Sequence, residues 1–128
     1  MKRLLILVGA LAATSAALAL ALLLGSWALN THRYIEHQDR LRRVLVQQPT
    51  MERVVKALED EGTPLVAVPA TAEEIETVIA ERGGAKAAEL RAKARRWPRL
   101  RVFRAADMVY FIYFDGEGIM RDFTCVSR

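Results

Sequence analysis

Few side chains in this sequence could carry out acid–base or metal chemistry, and the histidines are the first to consider. His32, Glu36 and His37 form the only group that contains histidine. On a helix, His32 and Glu36 lie one turn apart and share a face, whereas His37 is five residues from His32 and points elsewhere. A metal site needs converging ligands, as two histidines four residues apart would provide. The spacing therefore predicts a solvated helix face and no metal site.

Cys125 is the single cysteine, so an intrachain disulfide is impossible. As a nucleophile it would need a base, and the chain offers only His32 or His37. Cys125 lies in an aromatic-rich terminal segment, away from any helix N-terminus that could lower its thiol pKa. We therefore interpret it as a buried, inert side chain.

Two glycine-containing segments resemble ligand-binding loops only loosely. Asp115 and Glu117 alternate with glycines, but the Asp-x-Asp-x-Asp-Gly spacing of calcium loops is absent, so we predict a polar turn. Gly83-Gly84-Ala85-Lys86 lacks the remainder of a phosphate loop and indicates a break between helices. We predict no catalytic residue, no metal and no cofactor. An enzyme is accordingly the least favoured function.

A run of basic residues is the strongest functional lead. Residues 86–104 carry eight basic and one acidic side chain, whereas residues 51–82 carry three basic and eight acidic ones. Charge runs are usually solvated surface, but a basic run can also attract anionic lipid headgroups or nucleic-acid phosphates. No nucleic-acid-binding motif or aromatic platform accompanies it, so we favour anionic lipid or an envelope protein. The candidate residues are Lys86, Arg91, Lys93, Arg95, Arg96, Arg99 and Arg101.

An apolar segment near the N-terminus is predicted to anchor the rest of the chain at a membrane. Leu4–Leu29 runs for 26 residues without a charge, and about 20 suffice to span a bilayer. Lys2 and Arg3 precede it, and Trp27 lies near its far end, as expected at the headgroup level. We predict an uncleaved single-pass anchor over residues 1–29.

A cleaved signal peptide is the alternative. Ser26-Trp27-Ala28 has small residues where a signal peptidase requires them, so cleavage after Ala28 would release a secreted or periplasmic binding domain. Apolar regions of signal peptides usually span about 7–15 residues, which favours the anchor.

The membrane orientation is predicted from the flanking charges. The short basic tail favours an N-terminus on the inner side of the membrane and a C-terminal domain on the outer side. Arg33, Arg40, Arg42 and Arg43 favour the reverse.

Small residues recur every fourth position along the apolar segment. They are Gly9, Ala13, Ala17, Ala21 and Gly25. Such a stripe lets two spanning helices approach closely, although a segment so rich in small residues produces one readily by chance. It makes a homodimer through the membrane helix one candidate interaction.

The remaining 99 residues suffice for one small domain with a charge near +2. Residues 30–49 read as a juxtamembrane helical stalk that ends at Pro49. In residues 50–128, Thr50 caps one helix and the capping box Thr71-x-x-Glu74 begins another. An Ala-rich helix over residues 85–97 ends before Pro98. Between the first two helices, residues 63–70 contain two prolines and predict an edge strand or a packed connector.

The last thirty residues change to a β pattern. Strands are predicted over residues 100–105, 108–114 and 119–126, with a hairpin loop at Asp115–Gly118. Residues 108–114 are aromatic or β-branched on both faces, which indicates a central strand covered on two sides. The predicted fold is α+β: a three-stranded antiparallel β-meander packed with about three helices.

This order of helices and strands is similar to the small envelope domains of the BamE/SmpA type. The matching features are Thr50, Val54 and Leu58 followed by Gly62-Thr63-Pro64, and Tyr113-Phe114-Asp115-Gly116 in the late strand. The resemblance implies the same layout of helices before a three-stranded sheet. The acidic residues 59–61, the extra Ala-rich helix and the absence of an N-terminal lipidated cysteine depart from that family.

Overall fold

The computed structural model describes residues 2–128, which form two compact units. The first ends at Ile35 and the second comprises Glu36–Arg128. Helix α1, Lys2–Val46, contains the boundary between them. Residues 2–30 of α1 are exposed throughout, and the helix is long and apolar enough to cross a membrane by length and composition. A signal sequence has the same properties. The predicted long apolar helix is thus confirmed at this level.

Three further helices form in the second unit, and their caps explain where they begin. Helix α2, Met51–Asp60, is capped by the Thr50 side chain, and α3, Ala72–Arg82, by the complete capping box of Thr71 and Glu74. Both predicted starts are confirmed. A 3₁₀ turn at Gly84–Lys86 leads into α4, Ala87–Arg96.

Gly83 allows the close packing of α3 and α4. A Cβ atom at this position would lie 2.6 Å from Ile79 O and 2.9 Å from Leu90 Cδ1, both well inside normal contact distance. The predicted helix break therefore also serves as a close approach between two helices.

The sheet has four antiparallel strands rather than the three predicted. They are β1 (Leu65–Ala67), β2 (Arg99–Arg104), β3 (Met108–Phe114) and β4 (Met120–Ser127), in that spatial order. The short β1 lies between Pro64 and Pro69 and pairs with β2. Because the prolines flank this strand instead of interrupting it, they cost it no ladder hydrogen bond. Of the two alternatives for residues 63–70, the edge strand is confirmed.

Helices cover both faces of the sheet in the second unit. Every residue of β3 is buried, which confirms the predicted central strand. Phe111 and Tyr113 pack in a cluster with Ile79 of α3 and Leu90 of α4. Tyr110 faces the opposite side, since side chains alternate along a strand. There it contacts the C-terminal part of α1, where Leu41 is only 1% exposed.

Candidate functional site

The structure distributes the predicted basic residues over both faces of the sheet. Lys86 precedes α4, and α4 carries Arg91, Lys93, Arg95 and Arg96. The last two candidates, Arg99 and Arg101, belong to β2. The alternating residue Leu100 is buried in the cluster beneath α3 and α4, so Arg99 and Arg101 project from the other face. The seven basic side chains therefore lie in different structural environments.

Lys86 and Lys93 cover the outer edge of β4. Lys86 Nζ donates to Cys125 O at 2.9 Å, and Lys93 Nζ donates to Phe123 O at 2.7 Å. Lys93 also lies 3.2 Å from Asp122 Oδ1. Because these carbonyls are two residues apart on an edge strand, the lysines satisfy acceptors that another strand could otherwise use. We assign both lysines a structural role.

The other cations of α4 divide into one paired and two exposed side chains. Arg91 Nε lies 2.6 Å from Glu76 Oε1 and so links α4 to α3. Arg95 and Arg96 are exposed, and the Arg96 guanidinium lies 5.1 Å from the centre of the Trp97 ring. Within residues 2–128, neither Arg95 nor Arg96 forms an ion pair. They are consequently available to an external anion.

Arg99 and Arg101 border a cleft at the start of β2. Its volume is about 250 Å³, and its lining consists of Val68, Pro69, Ala70, Pro98, Arg99 and Arg101. Burial lowers the pKa of Arg101, and the neighbouring positive charge of Arg99 lowers it further. Arg101 Nη1 donates to Leu100 O at 2.9 Å. In the described part of the chain no carboxylate forms an ion pair with either arginine.

A polar network joins α1 to the sheet within the second unit. His37 Nε2 lies 3.0 Å from Asp107 Oδ1, and His37 Nδ1 is hydrogen-bonded to the Tyr110 hydroxyl. Arg40 pairs with Glu61, and its guanidinium lies 6.0 Å from the centre of the Tyr110 ring. The predicted solvated face is wrong for His37, because this part of α1 packs on the sheet instead of standing clear of it.

The protonation pattern of this network suits a structural role. A carboxylate only accepts hydrogen bonds, so the His37 Nε2–H group donates to Asp107, while Nδ1 is hydrogen-bonded to the Tyr110 hydroxyl. Burial raises the pKa of Tyr110, an effect that the nearby positive charge of Arg40 partly opposes. A buried phenol that holds its proton donates a hydrogen bond and makes a poor nucleophile. Sequence reasoning missed Arg40, Asp107 and Tyr110, since no local pattern connects them.

Cys125 and Asp115 match the interpretations made from their sequence surroundings. Cys125 is fully buried, and burial raises the pKa of its thiol to about 12. Asp115 closes the hairpin turn: Oδ1 accepts from the backbone N–H groups of Glu117 and Ile119, and Oδ2 from Arg121 Nε at 2.8 Å. The Ile119 hydrogen bond holds the Asp115 pKa below its usual value. Among residues 2–128, no three His, Cys, Asp or Glu side chains cluster as metal ligands would.

The small-residue stripe lies wholly in the first unit. Gly9, Ala13, Ala17, Ala21 and Gly25 all belong to α1 and are exposed. A Cβ atom added at Gly9 or Gly25 would meet no heavy atom within 4 Å. The first unit thus offers an uncovered surface along this stripe.

Comparison with known proteins identifies no relative for this chain. No family model, curated protein or solved structure matches it. The similarity to BamE/SmpA-type domains therefore rests on layout alone, and the fourth strand is a further departure from it.

Proposed function

We propose that this protein is a single-pass, membrane-anchored and non-enzymatic protein of a bacterial-type envelope. The observation that carries the proposal is the exposure of the large apolar side chains between Leu4 and Leu29. A contiguous apolar surface of this length is costly in water and marks contact with a membrane or another protein. Because the segment exceeds the length needed to cross a bilayer, we assign it to the membrane.

The proposed orientation places the N-terminus inside and the second unit outside, in the periplasm. The short basic tail of Lys2 and Arg3 supports it, since positively charged flanks are retained on the inner side. A topology reporter fused after Arg128 tests this orientation. Activity confined to periplasm-specific reporters is expected, whereas activity of a cytoplasmic reporter would reverse the assignment.

The second unit is proposed to act as a binding module for an anionic surface or an envelope protein. Arg95, Arg96 and Arg99 are exposed and form no ion pair among residues 2–128, which supports this role. Tyr110 and Cys125, two potential nucleophiles, are fully buried with raised pKa values, which favours binding over catalysis.

Alkaline extraction of membranes combined with intact mass measurement tests the anchor. The full-length mass in the membrane pellet is expected. A Leu18→Arg/Leu22→Arg variant should move to the supernatant, because two charges near the centre of the span oppose insertion. A matched Leu18→Ile/Leu22→Ile variant should stay in the pellet. A mass lacking residues 1–28 would overturn the anchor and support the secreted alternative, which the small residues Ser26 and Ala28 favour.

Pairing of two chains through the membrane helix is a further part of the proposal. An Ala13→Ile/Ala17→Ile variant places bulk on the small-residue stripe and should weaken self-association in a bilayer assay. An Ala12→Ile/Ala16→Ile variant makes the same change on a neighbouring face and serves as the matched control. Equal association of both variants and the wild type would exclude pairing through the stripe.

A further inference from the structure

We propose that Arg99, Arg101 and the segment Val68–Ala70 form a binding site for a phosphate group. This inference deepens the proposed binding role, because it places that role in one cleft instead of on a broad basic face. The ligand is a phosphate monoester, supplied either by a small molecule or by a lipid headgroup.

Arg99 and Arg101 both line the cleft. Arg99 and Arg101 are two residues apart on β2, so their side chains emerge on the same face of the sheet. Pro98 precedes them, and Val68, Pro69 and Ala70 complete the lining of the cleft. The cleft thus combines two planar, fixed-charge donors with a rigid apolar rim. Arginine can bind phosphate oxygens through paired hydrogen bonds, which suits this arrangement.

Among residues 2–128, Arg99 and Arg101 form no ion pair. Lys93 and Arg91 each have a carboxylate partner, whereas neither Arg99 nor Arg101 does. Glu52 and Glu59 line the adjoining groove together with Arg101 but form no ion pair with it. Burial and the positive charge of Arg99 both lower the pKa of Arg101, so the two neighbouring cations repel each other in the unliganded site. A bound dianion would relieve that repulsion.

The chemistry of the site favours a monoester over a diester. A phosphate monoester carries a charge of about −1.5 to −2 at neutral pH, which matches two arginines, whereas a phosphodiester carries one charge. The volume of about 250 Å³ accommodates the phosphate and a short attached group. Val68, 52% exposed, and the two prolines offer that group an apolar surface.

Phosphate binding is measured with the full chain in nanodiscs of phosphatidylcholine. Phenyl phosphate is the soluble probe, and vesicles containing phosphatidic acid are the lipid probe. Isothermal titration calorimetry measures binding of phenyl phosphate, and co-flotation measures binding of the vesicles. Saturation by phenyl phosphate indicates a soluble ligand, and binding confined to the vesicles indicates a lipid headgroup. If the wild type binds neither probe, the proposal is wrong.

A pair of charge-matched variants separates the cleft from the general basicity of the surface. Arg99→Gln/Arg101→Gln should weaken binding by about tenfold or more, since charged hydrogen bonds to the phosphate are lost. Arg53→Gln/Arg104→Gln removes the same charge at two exposed positions outside the cleft and should change affinity by no more than about twofold, as expected of screened surface charges. Equal weakening in both variants would overturn the proposal in favour of a diffuse basic face.

Thermal unfolding without ligand supplies a second readout. Arg99→Gln/Arg101→Gln should unfold at a higher temperature than the wild type, because the repulsion between the two arginines is removed, and phosphate should no longer raise its midpoint. Should that variant fail to fold, the single change Arg99→Gln at the exposed position must show the same loss of response to phosphate. A retained response would contradict the site. The membrane anchor is tested separately by alkaline extraction and mass measurement, so the anchor and the phosphate site can fail independently.

Discussion

Tyr110 and Tyr113 lie on the same strand, yet their hydroxyl groups form hydrogen bonds on opposite faces of the sheet. The Tyr110 hydroxyl is bonded to His37 of α1, whereas the Tyr113 hydroxyl donates to Leu90 O of α4 at 3.1 Å. Both side chains are fully buried, so each hydroxyl needs its partner to offset the cost of leaving water. The two tyrosines therefore connect β3 to a helix on either side.

The coupling between His37 and Tyr110 can be measured by a double-mutant cycle. Tyr110→Phe and His37→Ala should each lower the free energy of unfolding in detergent. The double variant should lose less than the sum by about 1 kcal/mol, since both changes remove one hydrogen bond. Tyr113→Phe combined with His37→Ala is the control and should be additive, because Tyr113 faces the other side of the sheet. An additive result for Tyr110 would exclude the bond.

Cys125 should make stability fall at alkaline pH. Its pKa is about 12 in the folded chain against an ordinary value of 9.0, so the unfolded chain loses the thiol proton first. This contribution to stability is complete below pH 9 and declines as the pH rises toward 12. At pH 10 the loss is about 1 kcal/mol.

Urea unfolding at pH 7 and pH 10 tests this assignment. The wild type should lose about 1 kcal/mol more between the two pH values than Cys125→Ala, in which no thiol titrates. Because each protein is compared with itself at the two pH values, the loss of packing caused by the substitution, which does not depend on pH, cancels. Parallel pH dependence in the two proteins would show that Cys125 is accessible or already ionised in the folded state.

Residue-level predictions succeeded where the deciding contacts are local. The hairpin turn at Asp115 and the burial of Cys125 follow from neighbouring glycines and from an aromatic, apolar surrounding sequence. The environment of His37 could not be read from its neighbours, because Asp107 and Tyr110 are 70 and 73 residues away. The uncompensated pair Arg99 and Arg101 lay within the predicted basic run, but its separation from Lys86 and Lys93 depends on which face each strand residue occupies.

Among the elements, the two edge strands of the sheet are protected in different ways. β1 has only three residues between flanking prolines, and β4 has the ammonium groups of Lys86 and Lys93 on its carbonyl groups. A short strand bounded by prolines and a strand covered by lysines are both poor templates for pairing with another chain. The sheet is therefore closed to further strands without forming a barrel.

Lysine substitution should expose the edge of β4. Lys86→Met/Lys93→Met keeps the length of the side chains but removes the charged donors, so stability should fall by about 2 kcal/mol or more. Light scattering should rise as the exposed strand pairs between molecules. Arg95→Gln/Arg96→Gln, which removes two exposed charges from the same helix, should change stability by no more than about 0.5 kcal/mol. Unchanged scattering for the lysine variant would contradict the role assigned to these residues.

Element-level prediction was accurate for helix starts and for β3 and incomplete for β1. Thr50 and Thr71 act on backbone groups within one helical turn, so the sequence contains the whole interaction. β1 has three residues and no alternating pattern of its own, and it exists because β2 lies beside it. Strands of this kind are determined by tertiary pairing and leave little local signal.

For the whole molecule, the division into two units falls inside α1. The second unit begins at Glu36, and Leu41 within it is only 1% exposed. The predicted divisions at residues 29 and 49 came from the ends of apolar and proline-free segments, and they stay predictions. The second unit accordingly includes part of the segment described from sequence as a stalk.

Two truncations test how much of α1 the second unit requires. A chain that begins at Asn30 should retain cooperative unfolding, because His37, Arg40 and Leu41 are all present. A chain that begins at Thr50 loses these residues and should be less stable by at least about 3 kcal/mol, a typical cost of removing a large buried side chain together with its polar contacts. Equal stability by urea unfolding would show that α1 contributes nothing to the fold of this unit.

The protection of both sheet edges has a further consequence for the membrane-anchored chain that we propose. Tethering confines neighbouring copies to a thin layer, where the effective concentration of one domain around another can reach the millimolar range. Weak strand-to-strand pairing, negligible for a dilute protein, would become persistent under such crowding. In the proposed membrane-anchored state, the prolines around β1 and the lysines on β4 would keep the sheets of neighbouring copies separate.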